Sequence, residues 1–273
     1  MSEPNPDSEM ALDLSAYYER IGLHEPVRQP TLDSLERLHA AHLEAIPFEN
    51  LDQRLGRPVG LDLESLQNKL IINRRGGYCF EQNTLFAAVL RTLGFSVSTL
   101  EARVRPPGAK SVLPRTHMVL AVEIDRRWWL ADVGFGGDGI FLPVPLDGER
   151  SRQAGEEYEV VNEDGSVLVL RGTVEGEWRD LYAFRDEPVL PVDFEMAHYY
   201  TATHPKSRFR TALTVQRSTR TGRHALRGRT YTRTVTDPVT RTGLSDEEAH
   251  ELITTAFRLD VPLEDVRAAL ELS

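Results

Sequence analysis

Through the first third of the chain, apolar residues recur every three or four positions. Helix starts and stops punctuate that pattern. After a lead-in expected to be disordered, Met1–Leu12, a helix is predicted from a cap at Asp13 to a stop at Gly22. A second follows the cap Thr31, sets Leu32, Leu35, Leu38, Ala41 and His42 on one face, and ends before Pro47. A third begins at Asp62 and carries Leu63, Leu66 and Leu70. A fourth carries Phe80, Phe86, Val89, Leu90 and Leu93, with Gly94 as its stop.

Beyond Gly94 the pattern changes to short runs rich in β-branched and aromatic residues. Strands are predicted at Val97–Val104, His117–Ile124 and Trp128–Val133. Tyr158–Val161 and Val167–Leu170 flank Asp164–Gly165, a hairpin turn signal. After about Pro191 come a helix near Val192–Thr203, a hairpin around Thr221–Gly222, and closing helices after Ser245 and Pro262. Ser245 with Glu248 forms a capping box. The chain is therefore expected to be α+β in three parts: a helical part over 1–94, a β-rich part over 95–191, and a mixed part over 192–273.

Composition narrows the function classes. The 273 residues suffice for a sizeable core, and 40% hydrophobic with 27% charged residues is ordinary for a globular chain. A net charge of -10 argues against a general nucleic-acid binder, because a polyanion would be repelled. The polar, acidic start has no signal-peptide pattern, and no apolar run is long enough to span a bilayer. The single cysteine excludes an intramolecular disulfide and makes a thiolate metal site implausible, so no metal and a reducing, cytoplasmic setting are expected. Lys69, Lys110 and Lys206 are the only lysines.

That cysteine, Cys79, follows Gly76 and Gly77 and opens the fourth helix. There, unpaired N–H groups and the helix dipole favour an anion. A thiol in such a place is drawn from a free pKa of about 8.5 into the range of about 3.5–7.5. The alternative is a buried, inert cysteine, and the choice depends on a base and an orienter. His117 and Asp132 lie on adjacent predicted strands. A two-residue turn at Asp125–Arg126 makes Asp132 a diagonal neighbour of His117 on one face, about 7–8 Å away between backbones. A turn at Ile124–Asp125 places them opposite, and a three-residue turn sends Asp132 to the other face. Imidazole can take and return a thiol's proton, and a carboxylate can fix its tautomer. Spacing by itself leaves both the triad and the structural readings of these residues open. Arg74 and Arg75 suit a phosphate or, equally, the carboxylate of Glu49.

Five segments, taken together, resemble the arylamine N-acetyltransferases in their shorter, prokaryotic form. They are P-F-E-N-L at Pro47–Leu51, R-G-G-Y-C-F-E-Q-N at Arg75–Asn83, T-H-M-V-L at Thr116–Leu120, A-D-V-G-F-G-G at Ala131–Gly137 and H-P-x-S-x-F at His204–Phe209. The resemblance implies a helical bundle, a β-barrel-like middle domain and an α/β lid, the first two carrying a papain-like triad. In it Cys79 would be the acetylated nucleophile, His117 the base and Asp132 the third member. It further implies acetyl-CoA as donor, with Thr116, Gly134, Phe135 and Gly136 on the coenzyme side. Phe48, Phe135 and Phe209 would line the pocket of an aromatic amine or hydrazine. Two departures stand out: Thr84 where a glycine is common, which would narrow the helix's contact with the lid, and a loose match over Thr211–Ser273. The same triad would also serve a macrolactam-forming amide synthase fed by a carrier protein, or a cysteine hydrolase of protease or transglutaminase type. A binding module retaining a relic triad is the non-enzymatic alternative.

Overall fold

The computed structural model describes residues 11–108, 112–153, 155–234 and 238–272. The lead-in expected at the N-terminus lies outside the described residues as far as residue 10. Helix α1 (Leu14–Ile21) starts where Asp13 accepts from Ala16 N–H and stops at Gly22, which takes the left-handed conformation at φ 68°. Thr31 caps α2 (Leu32–Ala45) by accepting from Ser34 N–H. Asn50–Gly56 brackets a short α3 (Leu51–Leu55) absent from the periodicity reading. Asp62 caps α4 (Leu63–Leu66), as expected, but the helix continues as a π-helical run, Gln67–Ile72. That wider turn keeps Leu66, Gln67, Leu70 and Ile71 buried while Lys69 faces the carboxylates of Asp52 and Glu81. The fourth predicted helix is α5 (Cys79–Thr92), with Gly94 just past its end at φ 86°.

The middle of the chain forms an antiparallel sheet of eight strands: β2 (Ser96–Val104), β3 (His117–Ile124), β4 (Arg127–Ala131), β5 (Val144–Pro145), β6 (Ser151–Gln153), β7 (Glu156–Asn162), β8 (Leu168–Val174) and β9 (Glu177–Phe184). Their spatial order is β5-β4-β3-β2-β9-β8-β7-β6, and the sheet curls until β5 approaches β7, a nearly closed barrel. Strand β3 is buried on both faces, which explains its almost unbroken apolar run. Met118, Leu120, Val122 and Ile124 join the helical core with α2 and α5; Val119 and Ala121 fill the barrel with Leu100, Leu130 and Leu170.

The β3–β4 turn uses Asp125 and Arg126, both at positive φ (51° and 63°), and Ile124 pairs with Arg127. This is the two-residue, type I′ geometry. It leaves Asp132 on the His117 face, one residue past the last ladder pair, Leu120 with Ala131.

After α6 (Pro191–Thr203) and the short α7 (Arg208–Thr211), a second antiparallel sheet forms. It comprises β10 (Thr214–Thr219), β11 (Gly222–Arg227), β12 (Thr230–Thr234) and β13 (Val239–Arg241), backed by α8 (Asp246–Thr255) and α9 (Leu263–Glu271). Its edge is supplied from far upstream: β1 (Phe48–Glu49) pairs with β10, and Leu51 packs into this sheet's core. Residues 48–55, which precede the loop leading to Cys79, therefore pack with the last third of the chain. Among the described residues no helix is long and apolar enough to cross a membrane.

Candidate active site

Cys79 begins α5 behind a loop whose shape is fixed by buried ions. Arg75 grips Glu49 at 2.6 Å and Asp52 at 3.2 Å, and Lys69 spans Asp52 and Glu81 at 2.7 Å each. Burial opposes the Lys69 charge, but the carboxylates of Glu81, Glu49 and Asp52 hold it, so its pKa is raised. Glu81, in the first turn of α5, accepts from Tyr78 N–H at 3.1 Å and so secures the helix start beside the cysteine. Arg75 is thus a structural partner of Glu49. Arg74 lends its carbonyl, with that of Arg75, to the buried Arg20 guanidinium at 3.2 Å each.

The structure brings Cys79, His117 and Asp132 together. Asp132 Oδ2 lies 2.7 Å from His117 Nε2, leaving Nδ1 as the ring nitrogen available to Cys79. Cys79 Sγ lies 3.6 Å from the carbonyl oxygen of Thr116, the residue next to His117. Burial alone would keep His117 neutral, but the Asp132 carboxylate, with a smaller contribution from the nearby Cys79, pushes its pKa up to about 10. Burial would likewise raise Asp132. The charged His117 and bonds from Asn83 Nδ2 and Gly134 N–H, both 2.9 Å, hold it below the usual carboxylate range instead. An imidazolium–carboxylate pair facing a thiol at a helix N-terminus can make the sulfur a nucleophile and return a proton to a leaving group.

This pair carries a pH signature. The folded chain holds the His117 proton above its ordinary value of 6.5, so the stabilisation is complete below about pH 6.5 and is lost as pH rises toward about 10. Urea denaturation midpoints should therefore fall between about pH 6 and about pH 9, and His117→Gln should flatten the trend. An unchanged slope in that variant would remove His117 as the group responsible.

Around the thiol, Phe135 meets the His117 ring at 5.2 Å between centroids and is half-exposed. Phe48 and Phe209 face each other at 5.9 Å, and Phe209 touches Tyr78 at 5.6 Å. Asn50 holds the Phe209 segment there, donating to the carbonyls of Phe209 (3.0 Å) and Ala212 (2.9 Å). A cleft of about 520 Å³ is lined by Thr116, Arg115, Met196 and Tyr200 among others. The glycines divide in role. A Cβ on Gly134 would lie 2.7 Å from Cys79 Cα, so that glycine is required for the turn to pack on α5 and leaves no open space of its own. Gly136, at φ 67°, is half-exposed and faces Gln216 and Phe48. Thr84 lies with its hydroxyl 3.5 Å from Met118 Sδ and lines a second, broader cleft beneath α6.

Several residues with evident duties were not singled out by sequence. Asn83 donates to Asp132 and accepts from Val133 N–H at 3.1 Å; it stood within a quoted motif but without a role. Gln82 donates to the carbonyls of Ile46, Pro47 and Gly77, holding the loop before the cysteine. Tyr182 packs against His117 at 5.0 Å between centroids with the rings tilted by 55°, and no local signal in β9 marks it. Among the described residues no group of three or more His, Cys, Asp or Glu side chains is placed to hold a metal ion.

Comparison with known proteins agrees with this architecture. A family model described as N-acetyltransferase matches residues 31–266. The arylamine N-acetyltransferase of Mycolicibacterium smegmatis is 44% identical over 226 residues, covering 81% of this chain and 82% of that protein. The arylamine N-acetyltransferase / N-hydroxyarylamine O-acetyltransferase of Salmonella typhimurium is 41% identical over 201 residues, covering 73% and 71%. The structure of Mycobacterium marinum arylamine N-acetyltransferase in complex with CoA superposes with a TM-score of 0.88 at 34% identity, covering 94% of this chain and 98% of that one.

Proposed function

The chain belongs to the arylamine N-acetyltransferase family of acyltransferase enzymes, and on that premise we propose ping-pong transfer of an acetyl group from acetyl-CoA through Cys79. The acceptor is the nitrogen of an arylamine, arylhydroxylamine or hydrazine. The observation that carries the reading is the buried Cys79–His117–Asp132 constellation, with Phe135 against the His117 ring and Phe209 against Tyr78, the residue before the cysteine. Cys79 Sγ attacks the thioester carbonyl; the new S–C bond forms as the donor's C–S bond breaks, and His117 protonates the departing coenzyme thiolate. The acceptor nitrogen then attacks the Cys79 thioester, and His117 takes its proton as the cysteine sulfur leaves. Asp132 stays ionised and orients the ring throughout.

Thr116, with its carbonyl oxygen 3.6 Å from the thiol, Phe135, against the His117 ring, and Gly136 are all half-exposed, which supports their assignment to the donor side; Gly134 contributes by letting the turn pack. Phe48, Phe135 and Phe209 suit a flat, aromatic acceptor and disfavour water, which would otherwise hydrolyse the thioester. A lone thiol with this duty fits a reducing cytoplasm. Acetyl-CoA alone should acetylate the enzyme once, by intact mass, and then stall until an arylamine such as an anisidine is added. Cys79→Ala should take no acetyl group. Steady hydrolysis without amine would favour a hydrolase. Acylation by a carrier protein but not by acetyl-CoA would favour an amide synthase.

A further inference from the structure

Asp132 is the first residue beyond β4, so its N–H has no partner in the ladder, and the residue is too deeply buried to find water. An orphaned buried N–H costs about as much as a lost hydrogen bond. His39 of α2, 93 residues upstream, meets that need: Asp132 N–H donates to its Nε2 at 3.0 Å. The other ring nitrogen, Nδ1, lies 3.0 Å from the Phe141 carbonyl oxygen.

These partners admit only one state of the ring. An amide N–H only donates and a carbonyl only accepts, so Nδ1 carries the proton and Nε2 keeps its lone pair. Burial acts in the same direction, lowering the His39 pKa to about 4. One turn along, His42 is locked in the opposite tautomer. Its Nε2 donates to Gln82 Oε1 at 2.7 Å, because the Gln82 amide nitrogen is already donating to carbonyls, and Tyr17 O–H donates to Nδ1 at 2.9 Å. Helix α2 therefore holds the acid side of the site through His39 and the nucleophile loop through His42.

We propose that His39 is a positioning residue for the site's carboxylate. Its imidazole replaces the missing strand partner, fixes the angle at which Asp132 leaves β4, and so sets the direction in which His117 meets Cys79. The inference rests on the proposed role of Asp132 as the orienter.

Two substitutions in the full chain separate the ring's two bonds. In His39→Gln the longer amide reaches the Nε2 position and can accept from Asp132. In His39→Asn the amide reaches only the Nδ1 position and keeps Phe141. Expected for His39→Asn is a kcat lower by about 10²-fold, the scale of a small misplacement of reacting groups, with little change in the arylamine KM. Iodoacetamide labelling of its Cys79 should also shift to higher pH, since a poorly aimed Asp132 supports the His117 charge less. His39→Gln should retain most of the turnover and the wild-type labelling profile. Equal behaviour of the two variants, or wild-type kcat and labelling in folded His39→Asn, would reduce His39 to packing and overturn the proposal. If the unmodified enzyme takes no acetyl group from acetyl-CoA, the functional reading fails, and the labelling profiles still decide the role of His39.

Discussion

Asp132→Asn should leave a folded protein with turnover reduced by roughly 10⁴-fold, the loss that the same exchange causes in a serine-protease triad. Asp132 accepts from three donors, His117 Nε2, Asn83 Nδ2 and Gly134 N–H, and has no water to turn to. An asparagine of the same shape must aim its NH₂ at one of those donors. Whichever way it turns, it has no charge to hold the His117 proton. Circular dichroism and the denaturation midpoint would report the fold, and the acetylation rate by intact mass would report the chemistry. Turnover within a few-fold of the unmodified enzyme would take Asp132 out of the mechanism.

The second large effect is on stability. Lys69→Met should destabilise the fold by about 3–5 kcal/mol, the cost of stranding a buried charge. Lys69 is the cation directly contacting Glu81, whose side chain has 0% exposure, and it shares Asp52 with Arg75. Adding Glu81→Gln should recover part of the loss. A glutamine can keep the bond from Tyr78 N–H without the stranded charge. Urea denaturation of the two variants measures both numbers. A loss below about 1 kcal/mol for Lys69→Met would mean that the network behaves like an exposed ion pair.

Much of this was legible from residue order, for physical reasons that differ from element to element. The caps Asp13, Thr31, Asp62 and Ser245 act within three residues, so local sequence sufficed to place those helix starts. The β3–β4 hairpin was legible only as a set of alternatives: sequence left the turn length open, and the two-residue turn at Asp125–Arg126 is what puts His117 and Asp132 on one face. The five matched segments carried the family, and the α+β architecture with it. What escaped was long-range or short-lived in the pattern. The two residues of β1 and five of α3 are too few to show a period, and they form because β10 and α9 cover them. The π-helical run follows an ordinary leucine spacing until Lys69 must face two acids. His39 reads as one more polar position on α2. Its partners lie 93 and 102 residues away, and nothing near it in the chain announces them.

The seating of residues 48–55 against the end of the chain has a consequence for the order of synthesis. Arg54 Nε donates to the Ala269 carbonyl across 215 residues, Arg57 pairs with Asp265, and β1 needs β10 to exist as a strand. A ribosome adding about 5–20 residues per second takes roughly 10–40 s to bridge that interval. Throughout it, the segment leading into the loop before Cys79 lacks the surface on which it rests. The thiol's frame is thus completed only when the last helix has left the exit tunnel, and a nascent chain stalled short of α9 carries its cysteine in an unfinished setting.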